Sequence, residues 1–287
     1  MKTQNGFTLM NKNETGPYLA KQKVTRKITR LQVHHMDLPN YSTWEKTDKK
    51  VFSQPYFGRT QSLNDYGRRT WNYSDGHGHY IAQHFNVFPD GKITTGRHLN
   101  SKPIGIRGWN DGAICIEIYG DFDKGHDKMT KAQKEAVIAL YGELCKRFKI
   151  PVDTAHIRPH CWFTAGGTYI GDYSISRSAK TCPGTNFMGI GNTKKAFVNK
   201  FYPMIKEYMN GESTSKVKEP VQTSKYTTGV YRVNTDDLNV REKATSDSKK
   251  VGVVHKGDAY TITKISGNWG YLKSKLGWIH LGYCKKI

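Results

Sequence analysis

Two six-residue runs constrain the fold more than any other part of this chain. Arg30-Leu-Gln-Val-His-His35 and Ala113-Ile-Cys-Ile-Glu-Ile118 both alternate with the period of two that suits a strand. In the first, Leu31, Val33 and His35 share one face; Arg30, Gln32 and His34 share the other. In the second, the three isoleucines share a face that should pack under a helix, while Ala113, Cys115 and Glu117 point the opposite way. In Gln83-His-Phe-Asn-Val87, His84 and Asn86 oppose Phe85 and Val87. Each strand can therefore bury an apolar face and present a titratable group on the other. A buried, unpaired Glu117 is costly, so it needs a partner or a task. A strand histidine taken alone is most often a structural hydrogen-bonder, and His35, on the Leu31/Val33 face, reads that way.

Around these runs the first 210 residues mix strands and helices. Strands are expected from Ile28 to His34, Tyr80 to Phe88 and Ala113 to Tyr119, with a tight turn at Phe88-Pro-Asp-Gly-Lys92 leading to a partner near Ile93. Thr130, followed by Gln133, opens a helix with a capping-box pattern, and Pro151 closes it. Val137, Leu140, Tyr141, Leu144, Cys145 and Phe148 form its core face. A second helical run, 193–209, contains Pro203, which should kink or divide it. The fold class expected is α/β, a mixed sheet flanked by helices.

A polar, Ser/Thr-rich stretch carrying Pro220 reads as a linker over 211–227, between domains at 1–210 and 228–287. The last 60 or so residues hold short alternating segments split by turns, the pattern of a small all-β barrel. The chain carries a net charge of +21, of which +14 lies in the first region and +6 in the last. Such a balance predicts an anionic partner: nucleic acid, an acidic membrane surface or an anionic polymer. No basic stripe with a recognition motif supports nucleic acid. No apolar run approaches the ~20 residues that span a bilayer, and the polar start offers no apolar core of a secretory signal. Five widely spaced cysteines, with no Cys-x-x-Cys pair, argue against a disulfide scaffold and favour a thiol or metal-ligand role.

Near the end of the first region come Ala155-His-Ile-Arg-Pro-His-Cys-Trp162 and Ser178-Ala-Lys-Thr-Cys-Pro-Gly184. Together with Val33-His34-His35 and Ile116-Glu117-Ile118, their order and spacing resemble the zinc N-acetylmuramoyl-L-alanine amidases. That family includes phage endolysin amidases and is related to peptidoglycan recognition proteins. The resemblance covers about residues 25–210, and Lys-x-Cys-Pro-Gly is its most specific piece. It implies His34, His160 and Cys182 as zinc ligands, with His156 the rival to His160. Two imidazoles and a thiolate suit Zn²⁺, and three protein ligands leave an open position, the mark of a catalytic site. It implies Glu117 as general base and then acid, and Lys180 as the stabiliser of a developing oxyanion. Some relatives carry a tyrosine where this chain has Gln83, which places proton transfer on Glu117. The long Phe163 to Ser178 stretch reads equally as a mobile lid or as a plain surface excursion.

Other signals carry less. Asp121-Phe-Asp-Lys-Gly-His-Asp127 looks superficially like a calcium loop, but its glycine is one place early and Ala132 stands where a bidentate glutamate belongs. His77 and His79 read as loop histidines. Trp44, Tyr56, Trp71, Tyr73 and Trp109 suit either sugar stacking or core packing, with packing the default. In the last region, Leu238-Asn-Val-Arg241, the Lys256-Gly257 turn, Gly267-Asn-Trp269 and Gly277-Trp-Ile279 resemble the bacterial SH3-like domain, which implies wall anchoring. The resemblances together imply an endolysin or autolysin of phage, prophage or bacterial origin, made in the cytoplasm and acting at the cell wall. Its partners would be peptidoglycan and anionic wall polymers, with the charge as a salt-sensitive affinity term. The rivals are a non-catalytic peptidoglycan-binding module and a thiol endopeptidase using Cys182 with His160.

Overall fold

The computed structural model describes residues 1–211, 226–246 and 248–287, so most of the expected linker lies outside the described residues. The chain divides into two compact units.

The first unit is built on a seven-stranded sheet. Its strands are β1 (Lys2–Gln4), β2 (Phe7–Met10), β3 (Arg30–His35), β4 (Phe85–Val87), β5 (Ile93–Thr95), β6 (Ala113–Ile118) and β7 (Ile157–Pro159). They lie in the order β1-β2-β5-β4-β6-β3-β7. The four strands from β4 to β7 run parallel, and β1, β2 and β5 extend the sheet antiparallel. The expected strand from Tyr80 is shorter than its sequence pattern: only Phe85–Val87 joins the ladder. Ahead of it, Tyr80 and Ile81 donate their backbone amides to the Asn64 side chain instead of to a strand.

The register fixes the chemistry. His34 pairs with Glu117, Gln32 with both Cys115 and Arg158, and Asn86 with Glu117. Aligned residues on parallel strands share a face, so the titratable faces of β3 and β6 coincide. On the opposite face Leu31, Val33, Ile114, Ile116 and Ile118 join one core with Val137, Leu140, Tyr141 and Leu144 of helix Lys131–Phe148, as the isoleucine face predicts.

Thr130 caps that helix by accepting the Gln133 amide at 3.0 Å. The reciprocal half of the capping box does not form. The Gln133 carboxamide instead donates to the carbonyls of Val87 and Tyr119, at 2.9 and 2.8 Å, tying the helix start to two strand ends. Two buried carbonyls gain more from that donor than one solvated cap amide would. The run at 193–209 divides as Pro203 requires: Lys194–Ala196, a π turn over Phe197–Phe201, then helix Tyr202–Met209 with the proline in its first turn. A helix that the sequence pattern did not reveal, Pro55–Thr70, buries Phe57, Thr60, Asn64 and Gly67.

The second unit is a seven-stranded antiparallel sheet: β8 (Gly229–Val233), β9 (Asp237–Arg241), β10 (Lys250–His255), β11 (Ala259–Ser266), β12 (Trp269–Leu272), β13 (Trp278–His280) and β14 (Cys284–Lys286). The order is β10-β9-β13-β12-β11-β8-β14. Alternation sends Leu238, Val240, Leu272 and Ile279 into its own core, with Tyr231, Val254 and Ile262.

Candidate active site

Parallel strands bring their carboxyl ends to one edge of the sheet, and loops beyond those ends form the usual place for a site. Here β3 delivers His34, β6 delivers Glu117, and the short turn after β7 delivers His160. The remaining residues come from a loop, Lys180-Thr-Cys182-Pro-Gly184. Two devices hold that loop. Asp123 accepts the Thr181 hydroxyl at 2.8 Å and the Thr185 amide at 2.8 Å. The Cys161 amide bonds the Cys182 carbonyl at 2.8 Å. Gly184, at φ +107°, lies so close to Phe122 that a Cβ would sit 2.4 Å from its carbonyl carbon.

The result is a cluster. Donor atoms of His34, His160 and Cys182 all lie within 4.8 Å of one another, the one such group of three among the described residues. The His34 Nδ1 stands 3.6 Å from the Cys182 sulfur and 3.8 Å from a Glu117 oxygen. The two imidazole rings meet edge to face, centroids 5.0 Å apart. Burial, with the positive fields of neighbouring His160 and Lys180, pushes the His34 pKa well down, and burial lowers His160 to about 4. Both rings are therefore neutral and able to donate a lone pair. Burial pushes the Cys182 thiol up. A buried thiolate facing neutral rings needs a cation. The donor set thus fits a soft-to-borderline divalent ion, with tetrahedral Zn²⁺ the natural match. The same raised thiol is the reverse of an activated nucleophile, which opposes a thiol-protease chemistry.

Burial pushes the Glu117 carboxyl up to about 8, with Lys180 opposing. Its side chain remains 21% exposed, open to a cavity of about 670 Å³. His34, Glu117, His160, Lys180 and Cys182 all line this cavity, so the structure brings the five sequence-derived site residues together. His156 is not among them: its ring is held by Asp153 at 2.7 Å. Gln83 lines the cavity too, and its amide nitrogen donates to Asn86.

The remaining signals sort by contact. No residue from 163 to 178 lines the cavity, and Arg158 stacks 3.7 Å over Tyr169 within that stretch. The Asp121–Asp127 carboxylates accept backbone amides, among them Asp121, Tyr41 and Asp123. His79 pairs with Asp75, and His77 stacks on His98. Trp44 and Trp109 are buried, and Tyr56 packs on Trp44. Trp71, by contrast, is 43% exposed, touches Tyr66 edge to face, and lines the cavity beside Leu63. Sequence reasoning missed Tyr66 and Leu63 because the helix carrying them was missed.

Solved structures similar to the chain include Drosophila PGRP-LB (17% identity, TM-score 0.40, covering 62% of this chain and 82% of that one). Another is the "endolysine N-acetylmuramoyl-L-alanine amidase LysCS" of Clostridium intestinale (22%, TM-score 0.35, covering 61% and 85%). A third is bumblebee PGRP-SA (14%, TM-score 0.43, covering 62% and 85%). No curated protein sequence matches the chain. Residues 236–285 match the bacterial SH3 domain model. Residues 24–185, more than half the chain and all of the cluster, match the model of N-acetylmuramoyl-L-alanine amidase, and the chain belongs to that family.

Proposed function

We propose that this protein is a zinc-dependent peptidoglycan amidase that cleaves the amide between the lactyl group of N-acetylmuramic acid and L-alanine. Family membership supports peptidoglycan amide hydrolysis. The observation that carries the finer reading is the convergence of His34, His160 and Cys182 beside Glu117 in one cavity. His34, His160 and Cys182 would hold the ion through two neutral imidazoles and a thiolate. Zinc bound there supplies Lewis acidity toward a water and the scissile carbonyl. Glu117 takes a proton from the attacking water and returns it to the leaving nitrogen. Lys180, on the exposed rim, sets a positive charge against the oxygen that becomes negative. The bacterial SH3 domain would concentrate the enzyme on the wall, an avidity effect that needs no contact with the reacting bond. An endolysin or autolysin role, of phage, prophage or bacterial origin, fits this pairing.

Mass spectrometry of digested peptidoglycan tests the reaction. Free stem peptides beginning with L-alanine are expected; new reducing sugar ends, or cuts within the stem, overturn it. Chelation should abolish turnover and added Zn²⁺ restore it.

A further inference from the structure

Gln32 lies two residues before His34 on the same face of β3, fully buried, and no step of the reaction above uses it. Its amide nitrogen stands 2.9 Å from the Trp109 carbonyl and 3.0 Å from Asn110 Oδ1. A carboxamide NH₂ has two hydrogens, so both are spent. The orientation is forced. Asn110 Oδ1 also accepts the backbone amide of Gly105 at 3.1 Å, so that atom is an oxygen. A flipped Gln32 would set oxygen against two oxygens. Gln32 Oε1 is therefore the end left over, and it lies 3.3 Å from His34 Nε2. An amide oxygen only accepts, so His34 Nε2 must carry the hydrogen. In a neutral imidazole the other nitrogen then offers the lone pair. That nitrogen, Nδ1, is the one facing Cys182.

The loop that closes over Gln32 is shaped for it. A Cβ on Gly105 would lie 1.9 Å from Gln32 Oε1. Only glycine lets the 104–110 segment pass close enough for Trp109 and Asn110 to reach the carboxamide.

We propose that Gln32 is a positioning residue for His34: held by Trp109 and Asn110, it selects the Nε2–H tautomer and so aims the Nδ1 lone pair at Cys182 and His160. The inference rests on the zinc reading above for its purpose, though the hydrogen-bond geometry stands without it. A partner on the second nitrogen of a ligand histidine fixes ring and tautomer, and losing it typically costs ~10–100-fold in metal affinity.

The test uses the full chain. In the metal-free protein, ¹⁵N-resolved NMR of the His34 ring should show the Nε2–H tautomer. Zinc affinity, read by competition with a chromophoric chelator, should fall ~10–100-fold in Gln32→Met, which keeps the length of the side chain but removes both the acceptor and the two donors. Gly105→Ala, which leaves Gln32 present but crowds its oxygen, should weaken zinc in the same direction. An Nδ1–H tautomer at His34 in the wild-type chain overturns the proposal, as does a folded Gln32→Met within about twofold of wild-type affinity. The wild-type NMR measurement decides even where Gln32→Met fails to fold. A wild-type chain that binds no zinc yet releases stem peptides would instead overturn the zinc reading, leaving the tautomer result to stand or fall by itself.

Discussion

Glu117→Gln should separate what this residue does for the reaction from what it does to the fold. Burial raises its carboxyl from 4.5 to about 8 in the metal-free protein. A carboxyl with a raised folded-state pKa binds its proton more tightly folded than unfolded, so stability falls as pH rises from the unfolded value to the folded one. Below pH ~4 the group is protonated in both states and contributes nothing. At pH 7 the penalty is about 3 kcal/mol, and it levels off near ~5 kcal/mol above pH ~8. Glutamine has nearly the same shape and no charge at any pH, so the variant escapes the penalty. For a unit of this size each kcal/mol moves Tm by ~2–4 °C. Thermal melts with excess chelator should therefore show wild type and variant together near pH ~4 and the variant ahead by about 6–12 °C at pH 7. Zinc should narrow the gap, because a cation beside the carboxylate favours its charged form. Amide hydrolysis should meanwhile fall by ~10²–10⁴. A Tm difference that ignores pH, or a variant less stable than wild type at pH 7, would refute the claim that this carboxylate is held at a cost to the fold.

Three further outcomes follow from other parts of the molecule. Burial opposes ionisation of Asp75, but the His79 ring and the amides of His98, His79 and His77 outweigh it and hold its carboxyl well below the usual range. Its stabilisation is present above the ordinary carboxyl pKa and is lost as pH falls through the depressed one. Asp75→Asn should thus cost ~1–3 kcal/mol at neutral pH in a denaturant titration, with the difference from wild type shrinking on acidification. Trp71→Ala should raise KM for polymeric peptidoglycan several-fold with little change in kcat, because it lines the cavity without being one of the groups assigned to the reaction; an unchanged KM counts against a substrate contact. In the second unit a cavity of about 560 Å³ is lined by Trp269, His280 and Tyr283 together with Asn239 and Arg241. Trp269→Ala should weaken pull-down on purified walls while hydrolysis of a soluble muramyl peptide is unchanged.

The candidate site was more legible in the sequence than the fold around it, for a physical reason. Alternation is local, so Arg30 to His35 and Ala113 to Ile118 declare which side chains share a face, and the parallel register of β3 and β6 then superposes His34 on Glu117. What alternation does not carry is a face buried by hydrogen bonds. Helix Pro55–Thr70 presents Phe57, Thr60, Asn64 and Gly67 inward. Only the first is apolar, so no 3.6-residue apolar stripe marks it. Its inward face works through polar contacts instead: Asn64 takes two backbone amides, Thr60 meets Thr94 at 2.8 Å, and Gly67 lies against the Tyr80 carbonyl. The first hairpin escaped for a related reason. Its Asn5-Gly6 turn has both residues at positive φ, the strongest short-range hairpin signal, but Lys2–Gln4 is wholly exposed and shows no alternation. Gln32 unites both lessons. Its place on the His34 face was readable, yet its meaning depends on Trp109, Asn110 and Gly105, which only the folded loop brings within reach. The sequence pattern names the groups that do chemistry, while the groups that orient them are fixed by contacts distant in the chain, and it is there that a substitution outside every motif should alter the candidate site most.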